Sequence, residues 1–476
     1  MEFVTPSIHK KAPFGKCKAW HPQLHFRHAR RFQTDSVKNT CKKTFFWQTV
    51  EDLANRPEAN TPSFRSLANL YSVLPYKRMN ICIVAPDKLI ANKGGLESVC
   101  YNLALIFGKK EGIRCFQLFT KTNDAPDIPG ISYQRIPKTY QQRLDKDIEE
   151  TRRFIRENDI DILWNHSSNA PLTAYLHKTT QGTKAKIISI IHNTPKEQIL
   201  ELRDRHDLAL YRMRHYGELL SYLLLLLKYP LSLANSYRKA RLYLRLIVNN
   251  SDKLALLSDC YRKEFLHLAG MKENKKVTHV TNPILPLQER YRNTEKQNIL
   301  LVAARHAWKH KRLDRIINIW HKIENSFPTW ELVMLGDGAD HGELIKHAQR
   351  LKLQRISFPG QTDPQPYYAK AKIFCMTSGW EGLPMALLEA QQHGCVPICY
   401  ESFTALPDII NNGETGYRIP AFKEKLYIEK LTGMMSDEKS LQHMSENCRE
   451  HAKNFDIEKI AETWISLFKE TLNTPS

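Results

Sequence analysis

The chain has 476 residues, 42% of them hydrophobic and 10% aromatic, with a formal net charge of +20 and ten cysteines. At about 150 residues per domain that length allows two or three domains, and the apolar share excludes a wholly disordered chain. No run of about 18 apolar residues occurs, which excludes a transmembrane helix, and cysteines without a C-x-x-C pair do not suit a disulfide framework or a zinc site.

Residues 1–78 are the first segment, and they hold fourteen Lys and Arg against five Asp and Glu, or nine of the twenty net positive charges. They follow neither a two-residue nor a 3.6-residue period and are broken by six prolines from Pro6 to Pro75. A basic, poorly ordered extension is expected there. The amino terminus has no apolar stretch of signal-peptide type, so a reduced, cytoplasmic protein is expected. Cys82, Cys115, Cys375 and Cys399 lie in apolar runs and read as buried thiols.

At Met79 the texture changes, and the functional chain is expected to start there. Asn80-Ile81-Cys82-Ile83-Val84-Ala85 reads as a buried strand, followed by Gly94-Gly95 and a helix near 96–110. Strand-like runs then alternate with helical ones around 113–119, 161–165, 186–191, 253–257 and 276–280. A second series follows around 298–304, 331–335, 355–358, 372–376 and 395–400. This βαβ punctuation predicts two doubly wound parallel sheets. Residues 79–290 and 291–455 would be two Rossmann-like domains facing a cleft, with ligands beyond the carboxyl ends of the strands. Residues 199–248 interrupt the pattern. They read as an inserted helical pair packed on the sheet, or as a basic amphipathic patch resting on an anionic membrane surface. A last helix, about 456–472, has one apolar face and is expected in the core, with the option of crossing back to the first domain.

The chemistry concentrates in Ser378-Gly379-Trp380-Glu381-Gly382-Leu383-Pro384-Met385-Ala386-Leu387-Leu388-Glu389-Ala390. Pro384 suits a helix start, and the helix amino terminus beside Gly382 and Leu383 favours a diphosphate. Glu381 in the loop is placed to hold sugar hydroxyls, and Glu389 on the helix to hold a ribose diol. Arg305 and Lys311, in Arg305-His306-Ala307-Trp308-Lys309-His310-Lys311, follow a strand and read as a cationic clamp for phosphate. His306 and His310 there are expected in a solvated basic loop rather than at a metal. Gly94 and Gly95 let backbone amides approach an anion. His192 ends a strand, His166 ends its neighbour, and Gly336-Asp337-Gly338 is a tight turn after another.

Glu381 to Glu389, continued by His393-Gly394-Cys395-Val396-Pro397 and Asn412-Gly413-Glu414-Thr415-Gly416, resembles the EX7E signature of family-4, or group 1, retaining glycosyltransferases of the GT-B fold. The likeness covers about residues 79–470. It implies transfer of a sugar from a UDP- or GDP-sugar to a glycan or lipid-linked acceptor, with retention and no required metal, in polysaccharide or lipopolysaccharide assembly. The family pattern puts Glu381, His192, Arg305 and Lys311 at the reacting centre. It puts Gly94, Gly95, Gly336, Gly382, Leu383, Pro384 and Glu389 around the donor. A nucleotide-sugar epimerase of the same architecture and a basic nucleic-acid-binding protein are the alternatives. No recognisable nucleic-acid motif occurs, so no nucleic-acid partner is expected; peripheral contact with an anionic membrane remains in the reading.

Overall fold

Alternate residues of the first strand, β1 (Met79–Asp87), are buried in opposite directions. Ile81 and Ile83 join one apolar cluster, while Cys82 and Val84 join another. A near-continuous apolar strand does this when helices cover both faces of a parallel sheet. The computed structural model describes residues 78–90, 95–121, 127–167, 169–216 and 219–474. The extension expected over residues 1–78 therefore lies, apart from Arg78, outside the described residues.

The first domain holds β1, β2 (Ile113–Lys121), β3 (Ser132–Arg135), β4 (Ile162–Asn165), β5 (Lys186–Ile191), β6 (Lys253–Leu256) and β7 (Val277–His279). They form one all-parallel sheet in the order β3-β2-β1-β4-β5-β6-β7. The second domain holds β8 (Gln297–Ala303), β9 (Glu331–Leu335), β10 (Ile356–Gly360), β11 (Ala371–Met376), β12 (Val396–Glu401) and β13 (Tyr417–Pro420). These are also all parallel, in the order β10-β9-β8-β11-β12-β13. Two strands, β3 and β13, extend the sheets beyond what the sequence pattern showed.

Seven helices matter for the site: α1 (Gly95–Lys109), α2 (Glu197–Tyr216), α3 (Leu219–Asn249), α4 (Cys260–Ala269), α5 (Trp308–Lys311), α6 (Met385–Gln392) and α7 (Ile457–Asn473). The interruption at 199–248 is thus a helical pair, α2 and α3, packed against each other. The carboxylate of Asp456 caps α7 by accepting from the Glu458 and Lys459 amides. This helix follows the second domain in sequence but packs on the first. Trp464 lies edge-on to Trp164 at 4.9 Å, and Phe468 to Phe107 at 5.8 Å. The Lys110 amine reaches Glu458 and Glu462 at its flank.

Candidate active site

In an open parallel sheet, the crevice lies where strand order reverses. The second sheet reverses between β8 and β11. The loop after β8 leads into α5 and ends on Lys311, and the loop after β11 carries Ser378 to Pro384. The fold thus brings together two segments seventy residues apart in sequence. Lys311 Nζ donates to Glu381 Oε1 at 2.7 Å and to Oε2 at 3.0 Å. His310 braces the same loop. Its ring stacks on Trp380 at 4.0 Å, Nε2 lies 2.8 Å from the Trp380 carbonyl, and its own carbonyl accepts from the Gly379 amide. His310 Nε2 is also 3.6 Å from the Glu381 carboxylate.

Glu381 is buried, its side chain only 7% exposed. Burial alone would raise its pKa, but the Lys311 ammonium and His310 more than offset this and hold the carboxyl well below its usual range. Glu389, eight residues on, meets the opposite outcome. Burial pushes its carboxyl up to about 7, only partly countered by a hydrogen bond with Tyr368.

The first domain closes over this loop from the other side. Tyr261 on α4 donates its hydroxyl to the carbonyls of Glu381 (3.0 Å) and Gly382 (2.7 Å). Trp380 Nε1 donates to Asp204 Oδ2 on α2 at 2.6 Å. Gly382 sits against the backbone of His192, where a Cβ would come within 2.2 Å of the His192 carbonyl oxygen. His192 Nε2 lies 3.0 Å from His166 Nδ1, and the two rings stack. Burial keeps both neutral, with His192 down to about 3 and His166 well below its ordinary value. A cavity of about 250 Å³ opens beside them, lined by His166, His192, Thr194, Glu197 and Tyr243 among others. Burial raises the Glu197 carboxyl there, and its neighbour Glu201 raises it further.

The remaining expected residues distribute unevenly. Arg305 follows β8 with an exposed side chain. Gly336 has φ +121° and packs against the Ala304 carbonyl, so it shapes the loop that precedes Lys311. Leu383 and Pro384 are buried, and Pro384 stands at the N-cap of α6. Gly95 begins α1, and a Cβ there would touch Met385 of α6 at 3.7 Å; Gly94 lies outside the described residues. The solvated basic loop is not found. His306 is fully buried, stacked on His341 with their Nδ1 atoms 2.8 Å apart, and His310 is engaged with Trp380. Both rings find aromatic partners far away in sequence, which local charge could not reveal. Tyr261, Asp204 and Glu197 were likewise missed, since each lies on a helix without a motif of its own.

Comparison with known proteins places this geometry. Residues 286–451 match the family of glycosyl transferases group 1. The matched span takes in the whole of the second sheet and contains Arg305, Lys311, Gly336, Glu381 and Glu389. A Campylobacter jejuni α-1,4-N-acetyl-D-galactosaminyltransferase, named for an undecaprenol diphosphate glycan, is 27% identical over 180 residues, 38% of this chain and 50% of that protein. The segments matched by three curated relatives cover only 47–62% of those proteins' lengths. Among solved structures, the lipopolysaccharide outer core galactosyltransferase WaaB superposes with a TM-score of 0.59 at 19% identity, covering 82% of this chain and all of WaaB. Anabaena HepE in complex with UDP gives 0.60 at 12% identity, again covering 82% of this chain and all of HepE. The fold that the two domains share with these structures is GT-B.

Proposed function

We propose that this chain transfers a sugar from a nucleotide-sugar, UDP- or GDP-linked, to a glycan or lipid-linked acceptor, with retention of configuration, in polysaccharide or lipopolysaccharide assembly. The observation that carries this reading is the Lys311–Glu381 pair at the strand-order reversal of a matched glycosyltransferase domain, closed over by His192 of the facing domain. The relatives' names supply the substrate classes.

In this reading the diphosphate lies near Lys311 and Arg305, whose charges offset the negative charge that grows on it. Glu381 is freed toward the sugar hydroxyls as phosphate oxygens compete for the Lys311 ammonium. Glu389 holds the ribose diol. The bond from the anomeric carbon to the diphosphate oxygen breaks, and a bond to the acceptor hydroxyl forms on the same face. The hydroxyl proton goes to the departing phosphate oxygen. No metal is called for, so chelation should leave turnover unchanged.

A panel of UDP- and GDP-sugars, read by thermal shift and by donor hydrolysis, tests the reading. One donor class should stabilise the protein. Glu381→Ala and Lys311→Ala should each lower its turnover by roughly a hundredfold, with circular dichroism unchanged. Near wild-type turnover in either variant removes that residue from the assigned role.

A further inference from the structure

One side of the amino-terminal half of helix α3 is exposed. Leu219, Leu220, Leu223, Leu224, Leu226, Leu227 and Leu231 are exposed, Leu227 and Leu231 to 77%. At about 100° per residue these seven fall within a single stripe roughly 160° wide. The half-buried positions of the same stretch, Tyr222, Leu225, Tyr229, Ser232 and Leu233, occupy the opposite side. Farther along, Arg238 projects from the same stripe and is exposed, as is Lys239 beside it, whereas Arg241 lays its guanidinium against Gly270. The helix carries Lys228, Arg238, Lys239, Arg241 and Arg245 and no acidic residue. Its carboxyl-terminal half then enters the fold, where Ala240, Tyr243, Leu244 and Ile247 line the cavity beside His192.

We propose that α3 is a membrane-docking element, its leucine stripe entering the interface of an anionic lipid surface while Lys228, Arg238 and Lys239 meet the headgroups. The cavity beside His192 would then open toward the polar head of a lipid-linked acceptor. Exposed leucines followed by basic residues on one helical face match the apolar and charged layers of such an interface. A second copy of the chain is the poorer occupant, because a self-complementary contact would set two acid-free cationic faces against each other. The choice of acceptor rests on the transferase reading above; the lipid contact itself does not.

The test is co-sedimentation of the full chain with vesicles containing phosphatidylglycerol, beside vesicles of phosphatidylcholine alone. Sedimentation is expected with the anionic vesicles and should weaken with added salt. A variant combining Leu220→Ser, Leu223→Ser, Leu227→Ser and Leu231→Ser should reduce it by about tenfold or more. Arg238→Glu with Lys239→Glu should do the same by an independent route. Both variants should keep the wild-type melting temperature and donor hydrolysis in vesicle-free buffer. Protein that stays in the supernatant with anionic vesicles overturns the proposal. So do leucine variants that sediment like wild type, or that convert a dimer to a monomer in analytical ultracentrifugation without altering vesicle binding. Vesicle binding without donor hydrolysis would instead overturn the transferase reading and leave the docking surface standing.

Discussion

Two glutamates eight positions apart, one in a loop and one on the helix after it, are driven to opposite protonation behaviour. Glu381 has a cation within 3.0 Å on each oxygen and stays ionised. Glu389 has no such partner, and burial lifts its carboxyl to about 7. Groups pushed apart in this way have different tasks. In the proposed reading a ribose diol donates to the Glu389 carboxylate, so nucleotide binding would need that group in its ionised form. Affinity for UDP or GDP should therefore rise as pH increases through about 7 and then level off. Calorimetric titration between pH 5.5 and 8.5, set beside Glu389→Gln, checks it; ~10-fold is the scale for one unit of pH below the pKa. An unchanged pH profile in Glu389→Gln would take the residue out of the nucleotide site. Stability moves the other way. The folded-state pKa is raised, so the folded protein keeps a proton that the unfolded chain has released. Its contribution is present below pH 4.5 and is lost as pH rises toward about 7.

At the scale of elements, the loop between β11 and α6 is set by a close approach of backbones. Gly382 has no special φ; it is required because His192 O, Asn193 Cα and His192 C all lie within 3.2 Å of where a Cβ would be. Those atoms are backbone and cannot rotate away. Gly382→Ala should therefore force the two domains' loops apart, at a cost of about 1–3 kcal/mol, and depress transfer more than it depresses stability. Gly433, in the helix Glu424–Ser436, provides the contrast. It is exposed, has nothing within 4 Å, and Gly433→Ala should raise stability by about 0.5–1 kcal/mol. Denaturant titration of the two variants separates these outcomes; shifts of opposite sign are the expectation, the Gly382→Ala loss the larger, and a stabilised Gly382→Ala would contradict the close approach.

What the sequence made legible follows from the same distinction between local and distant causes. β1 carries the apolar run Ile81–Ala85 and β5 is mostly isoleucine, and the helix after Pro384 has its start written in the chain, so the two sheets and the Glu381 to Glu389 segment could be read directly. β3 is four residues, Ser-Tyr-Gln-Arg, at a sheet edge and only half-buried, so it has neither an apolar run nor alternation to betray it. Tyr261 and Trp380 meet partners 120 and 176 residues away. No local pattern encodes such pairings, which is why the loop's electrostatic half was visible and its anchoring half was not.

For the whole molecule, the question is whether the domains behave separately. The chain crosses between them twice, and the crossings are bonded to each other: the Ile284 amide donates to the Phe455 carbonyl at 2.8 Å. One apolar cluster runs without a break from Ile81 and Trp164 of the first sheet, through Trp464 and Phe468 of α7, to Phe374 and Met376 under the second. A shared core of this kind couples the stability of its parts, so wild-type unfolding should be a single calorimetric transition. Trp464→Ala removes a 2%-exposed indole from the middle of that cluster, a loss of about 3–5 kcal/mol. The loss falls on the first-domain side of that cluster, against Trp164, so the transition should split, the first domain melting before the second. A nucleotide held by the second domain would then move only the upper transition, whereas in the wild type it moves the whole profile. Scanning calorimetry with and without UDP or GDP distinguishes the cases. A single transition in Trp464→Ala, shifted as one by ligand, would place the coupling in the cleft contacts of Trp380 and Tyr261 instead.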